Sequence, residues 1–108
     1  MAVPKKESVR QWLISQFGED EALMGEIFGE YLRTTGETIA KAVSAMAGED
    51  YRELDRIAHT LKGNALMVGD QDAADAAYEM RNASKASDRA GCEAALAKVR
   101  RIFDEVNG

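Results

Sequence analysis

Residues 51–68 read YRELDRIAHTLKGNALMV, and the recurrence of apolar side chains within them decides the fold. On a helical wheel at about 100° per residue, Leu54, Ile57, Ala58, Leu61, Ala65 and Val68 fall within about 60° of one direction and make the buried stripe of a helix. On the same wheel His59, Lys62, Gly63 and Leu66 point roughly 80° to 180° away from that stripe. His59 is the only histidine in the chain. It lies on the flank or outer face of its helix, with a cation one turn along and, beside that cation, a residue with no side chain. An exposed imidazole, an ammonium and bare backbone together suit a phosphate that another protein must reach.

Working outward, Gly48-Glu49-Asp50 predicts a turn with Asp50 as N-cap of this helix, and Gly69-Asp70 ends it near Val68. A long helix is predicted from about residue 20 to residue 47, where Met24, Ile27, Phe28, Tyr31, Thr35, Ile39, Ala42, Val43 and Met46 recur at helical spacing without a slip of phase. Against continuity stand three glycines, each costing roughly 1 kcal/mol relative to alanine, and Thr34-Thr35-Gly36-Glu37, which has the form of a capping box. A true break would reset the phase, so one helix is expected, with Gly25 and Gly29 serving close helix packing. A short helix over about 7–17, with Val9, Trp12, Leu13 and Phe17 on one face, is expected to pack across an end of the others. Small residues (Ala73, Ala76, Ala77, Ala83, Ser84, with Met80) line one side of a helix over about 72–86. Cys92, Ala95, Leu96, Val99, Phe103 and Val106 line another over about 88–106. No segment alternates apolar and polar as a strand would. The expected fold is all-α: an antiparallel up-down four-helix bundle with a short additional N-terminal helix.

The chain has 108 residues, which fits a single domain able to bury a core without disulfides or metal. Nineteen acidic against fourteen basic residues leave a formal charge of −5 with no basic run, so nucleic acid and anionic membranes are not expected partners. Cys92 is the only cysteine and at its spacing reads as a small buried apolar residue, which favours a reducing compartment. There is no apolar run of membrane-spanning length and no signal-like start, so a cytoplasmic location is expected.

The pattern Ala58-His59-x-Leu61-Lys62-Gly63, with Gly69 ten residues after the histidine, resembles the histidine-containing phosphotransfer (HPt) domain of multistep two-component phosphorelays. Asp50-Tyr51-x-x-Leu54 ahead of it and Tyr78-Glu79 behind it extend the resemblance over most of the chain. The resemblance implies a helical bundle whose histidine accepts a phosphoryl group from an aspartyl phosphate on a receiver domain and passes it to another receiver. The metal in such a transfer, usually magnesium, belongs to the receiver, so no metal or cofactor is expected on this chain, and a monomer is expected.

The chemistry of the residues agrees. Imidazole offers a neutral nitrogen lone pair near neutral pH, which makes His59 the nucleophile. Phosphoryl transfer depends on positioning and on cations at the equatorial oxygens, a task for Lys62. Gly63 leaves backbone uncovered where a partner's loops must approach, and Leu66, outward and apolar, belongs to the partner-binding face. One position departs from the family pattern: where many members have a glutamine twenty-two residues after the histidine, this chain has Arg81, whose guanidinium could contact phosphoryl oxygens or a partner.

Three other functions are compatible with an exposed histidine on a helix. A histidine-kinase phosphoacceptor domain typically has an acidic residue after its histidine, whereas Thr60 follows here, and no phosphate-binding glycine loop is present. A turnover hydrolase would need a general-base constellation around His59. A helical adaptor or antagonist that binds a receiver without carrying phosphate is the principal alternative.

Overall fold

The computed structural model describes residues 3–108, and within them lie five helices and no strand: α1 (Lys5–Phe17), α2 (Glu21–Ala47), α3 (Tyr51–Met67), α4 (Gln71–Lys85) and α5 (Arg89–Asn107). Four of them start in the same way. The carboxylates of Asp20, Asp50, Asp70 and Asp88 accept from the backbone N–H groups of Leu23, Glu53, Ala73 and Gly91 at 3.0–3.1 Å, satisfying donors that a helix start leaves orphaned.

The last three of these caps sit in turns of one construction. Glu49, Gly69 and Ser87 take positive φ, and the N–H of the following aspartate donates to the carbonyl of Ala45, Ala65 or Ala83. Turns this short keep consecutive helices as neighbours: α2 packs on α3, α3 on α4 and α4 on α5, while α2 also touches α5 and α1 leans on α2 and α5.

Two apolar clusters result. The larger is built from α2 to α5 around Leu54, Ile57, Leu61, Met80, Leu96 and Val99. The alanines of α4, with Ala73, Ala74, Ala76 and Ala77 all buried, let it lie close to α3 and α5. The smaller cluster joins α1 to the rest through Val9, Leu13, Met24, Tyr31, Val68 and Val106, with Trp12 partly buried against it.

The long second helix is continuous. Its threonines do not cap a new helix but turn back on the old one, with Thr34 Oγ1 donating to the Glu30 carbonyl at 2.8 Å and Thr38 Oγ1 to that of Thr34 at 2.7 Å. Other expectations are corrected. Gly25 and Gly29 do not serve close packing, since a β-carbon at either would have nothing within 4 Å. Val43 is exposed, because Ala42, Ala45 and Met46 occupy the inward direction and Val43 lies a full 100° step beyond Ala42. Phe17 is exposed as well, at the last residue before Gly18 turns the chain with φ +76°. Helix α1 begins at Lys5 after Pro4, and α4 at Gln71 after Asp70, each slightly earlier than the apolar periodicity indicates.

Helix α1 is held by charge as well as by apolar contact. Asp70, whose side chain is fully buried, receives the Lys5 ammonium at 2.6 Å, and Lys5 also reaches Asp72 at 2.8 Å. Burial by itself would lower the Lys5 ammonium, but its bonds to the two aspartates outweigh that and hold it above its ordinary value. Burial, reinforced by the negative charge of Asp70, pushes the Tyr31 hydroxyl well above its usual range.

Candidate functional site

Because the apolar stripe of α3 faces α2 and α4, the opposite side of that helix is left to solvent. Leu54, Ala58 and Leu61 are buried, whereas His59, Gly63 and Leu66 are exposed and Lys62 is half-buried. Asp55 and Arg56 stand one turn before His59 on this helix, and Lys62 and Gly63 one turn after. A β-carbon at Gly63 would meet nothing within 4 Å, so its lack of a side chain leaves open space outside the molecule and serves no internal contact.

Helix α4 supplies the other wall. The Lys62 ammonium lies 5.1 Å from the centroid of the Tyr78 ring, a cation–π distance that gives a long flexible side chain one preferred resting place. Arg81 donates from Nε to Asp55 Oδ1 at 3.2 Å across the α3–α4 interface, both side chains being about one-third exposed. Lys62 and Arg81 are therefore both already engaged by groups of this chain.

The histidine opens on a shallow depression of about 560 Å³ whose lining includes Asp50, Glu53 and Asp55 together with Arg52, Arg56 and Arg81. Three carboxylates and three guanidinium groups make it close to charge-neutral. Within it Arg56 gives one terminal nitrogen to both carboxylate oxygens of Glu53, at 2.6 and 2.7 Å. Among the described residues, no group of three or more His, Cys, Asp or Glu could hold a metal ion. A second cavity, about 250 Å³ between α1 and α2, is lined by Leu13, Met24 and Phe28 with Lys6, Arg10 and Glu21 and shares no residue with this one.

Apolar surface continues past the histidine. Leu66 is 46% exposed, Met67 60% and Tyr78 50%, which puts three large apolar side chains on the exposed parts of α3 and α4 near the C-terminal half of α3. Leu66 is the only one of the three that the sequence pattern singles out. Asp55 is a site neighbour that it misses, and Tyr78 enters it only in the Tyr78-Glu79 pair, with no part in the site. Asp55 was within reach, since it lies four residues before His59 and shares its flank of the helix. The position of Tyr78 over Lys62 has no local signal, because the two are brought together by the packing of α4 on α3.

Arranged in this way, the site presents an exposed imidazole with Arg56 one turn before it and Lys62 one turn after it. No helix among the described residues is long and apolar enough to cross a membrane. The family model described as the Hpt domain matches residues 26–108, from within α2 to the end of the chain, and so includes every residue of the site. Comparison with curated proteins and with solved structures returned no match.

Proposed function

Because this chain belongs to the Hpt domain family, which serves phosphotransfer in two-component systems, we propose that it is a phosphorelay intermediate working through His59. The helices α2 to α5 form its antiparallel up-down bundle, α1 is an added N-terminal helix, and the whole 108-residue chain acts as one monomeric domain in the cytoplasm. The observation that carries the reading is that the only histidine is exposed on α3 between Asp55 and Arg56 on one side and Lys62 and Gly63 on the other.

In the proposed reaction a receiver domain of a response regulator or hybrid kinase docks over Gly63 and Leu66. The unprotonated nitrogen of the neutral imidazole attacks the phosphorus of the receiver's aspartyl phosphate. The new N–P bond forms as the O–P bond breaks, and the electron pair of that bond stays on the aspartyl carboxylate. Lys62 swings from Tyr78 to the equatorial oxygens, where charge is spread in the transition state. Magnesium is held by the receiver. The reverse sequence delivers the phosphoryl group to a second receiver, so the chain carries a group between partners and has no turnover reaction of its own.

The test is incubation of the purified chain with a phosphorylated receiver and magnesium. His59 should acquire an acid-labile, base-stable phosphoramidate, and His59→Gln should acquire none while its circular dichroism is unchanged. Undiminished labelling of the variant would overturn the assignment. Receiver binding without any labelling would identify the chain as an adaptor.

A further inference from the structure

The ion pair between Arg81 and Asp55 has the properties of a temporary one. It uses only Nε of the guanidinium, leaving the planar fork of the two terminal nitrogens for another acceptor. Both partners are about one-third exposed, and pairs this open to solvent are weak. Arg56 makes the contrast, since one of its terminal nitrogens is already shared between both oxygens of Glu53. Arg81, Asp55 and His59 line the same depression, and Asp55 stands a single turn from the histidine.

Phosphorylation changes the charge balance there. The depression is close to neutral while the histidine is free, and a phosphoryl group adds up to two negative charges one turn from Asp55. Like charges at that separation on a helix repel, and a guanidinium placed between a carboxylate and a phosphoryl dianion is drawn to the latter, which also accepts its fork bidentately.

We propose that Arg81 is a movable cation, stored on Asp55 while His59 is free and transferred to the phosphoryl oxygens when His59 carries phosphate. Asp55 is then a positioning residue that acts through Arg81 and sets how tightly the phosphoryl group is held. The inference rests on phosphate residing on His59, as in the function proposed above.

It is tested without any receiver by loading the protein with phosphoramidate. In that reaction the P–N bond to ammonia breaks as the P–N bond to the ring forms, and ammonia leaves. The readouts are the pH midpoint of the phosphohistidine ³¹P resonance, which a nearby cation lowers by favouring the dianion, and the ¹H–¹⁵N resonance of Arg81 Nε. Arg81→Gln should raise the midpoint by about half a unit to one unit, and Asp55→Asn, which frees Arg81, should lower it by a smaller amount. In the Arg81→Gln background the Asp55→Asn shift should shrink to the part that direct repulsion between that carboxylate and the phosphoryl group accounts for, Arg81→Lys should restore part of the Arg81→Gln shift, and the Arg81 Nε resonance should move on loading. A midpoint indifferent to Arg81, or an Asp55→Asn shift that is undiminished in the Arg81→Gln background, overturns the proposal. Because phosphoramidate needs no protein donor, failure of receivers to label His59 defeats the relay reading and leaves this measurement standing. Labelling by receivers with no Arg81 effect defeats only the exchange.

Discussion

The indole of Trp12 on α1 lies directly against Gly69 in the α3–α4 turn, so close that a β-carbon at Gly69 would overlap ring atoms Cγ, Cδ2 and Cε2 of Trp12. The same glycine has φ +68°, a conformation that side-chain-bearing residues adopt only with strain. Two independent demands, one of the turn and one of α1, thus meet at the residue ten positions after His59.

Gly69→Ala should therefore destabilise the domain by about 2 to 4 kcal/mol, combining backbone strain with overpacking, with a lower urea midpoint as the readout. Gly63→Ala, where a β-carbon meets open space, should change stability little and not for the worse, since alanine is the better helix former. Equal losses for the two would mean that the contact with Trp12 does not limit position 69.

Stability should fall on the alkaline side. Lys5 and Tyr31 are both held above their ordinary values of 10.5 and 10.0, so the folded state binds each proton more tightly than the unfolded state. That contribution is complete below about pH 10 and is lost as pH rises through the raised values. Thermal denaturation from pH 8 upward should show a plateau and then a decline, and Tyr31→Phe should make the decline shallower. Lys5→Met should cost about 2 to 3 kcal/mol at pH 7 by leaving buried Asp70 without its counter-ion. A decline with the same slope in Tyr31→Phe and wild type would remove Tyr31 from the account.

Lys62→Ala should slow phosphoryl transfer about 10- to 100-fold, or about 1.4 to 2.7 kcal/mol, with little effect on folding, since it removes charge stabilisation and keeps the nucleophile. Tyr78→Phe retains the ring beneath the ammonium and should leave the rate nearly unchanged. Rapid-quench measurement with a phosphorylated receiver checks both, and wild-type rates for Lys62→Ala across a salt series would count against the role given to the ammonium.

Leu66→Asp and Gly63→Gln should each weaken receiver binding while melting temperature stays near wild type, the first by placing a charge in an apolar contact and the second by steric intrusion. Leu61→Ala should show the opposite pattern, with a loss of about 2 to 5 kcal/mol in stability, because Leu61 is buried. Calorimetric titration beside thermal melts separates the two classes. Unfolding by Leu66→Asp with receiver affinity per folded molecule unaltered would displace the docking face.

The residues themselves determined whatever depends on direction along a helix. A 3.6-residue period states which side of α3 is apolar, and so places His59 outward and Leu61 inward. An aspartate at a helix start caps it by accepting, on its side-chain carboxylate, the backbone N–H three residues further on, a contact local in the chain, which is why the turn at Asp50 was legible. Tertiary structure decided what depends on which helices become neighbours: Arg81 on Asp55, Lys62 over Tyr78, Lys5 on buried Asp70, and Trp12 on Gly69. The partners in these pairs are 16 to 65 positions apart along the chain. Phe17 shows the same limit from the other side, since it shares a helix face with buried Val9 and Leu13 yet is exposed at the last residue of α1. Periodicity reports the direction in which a side chain points, whereas burial and pairing require a second surface at that place, and only the packing of one helix on another supplies it.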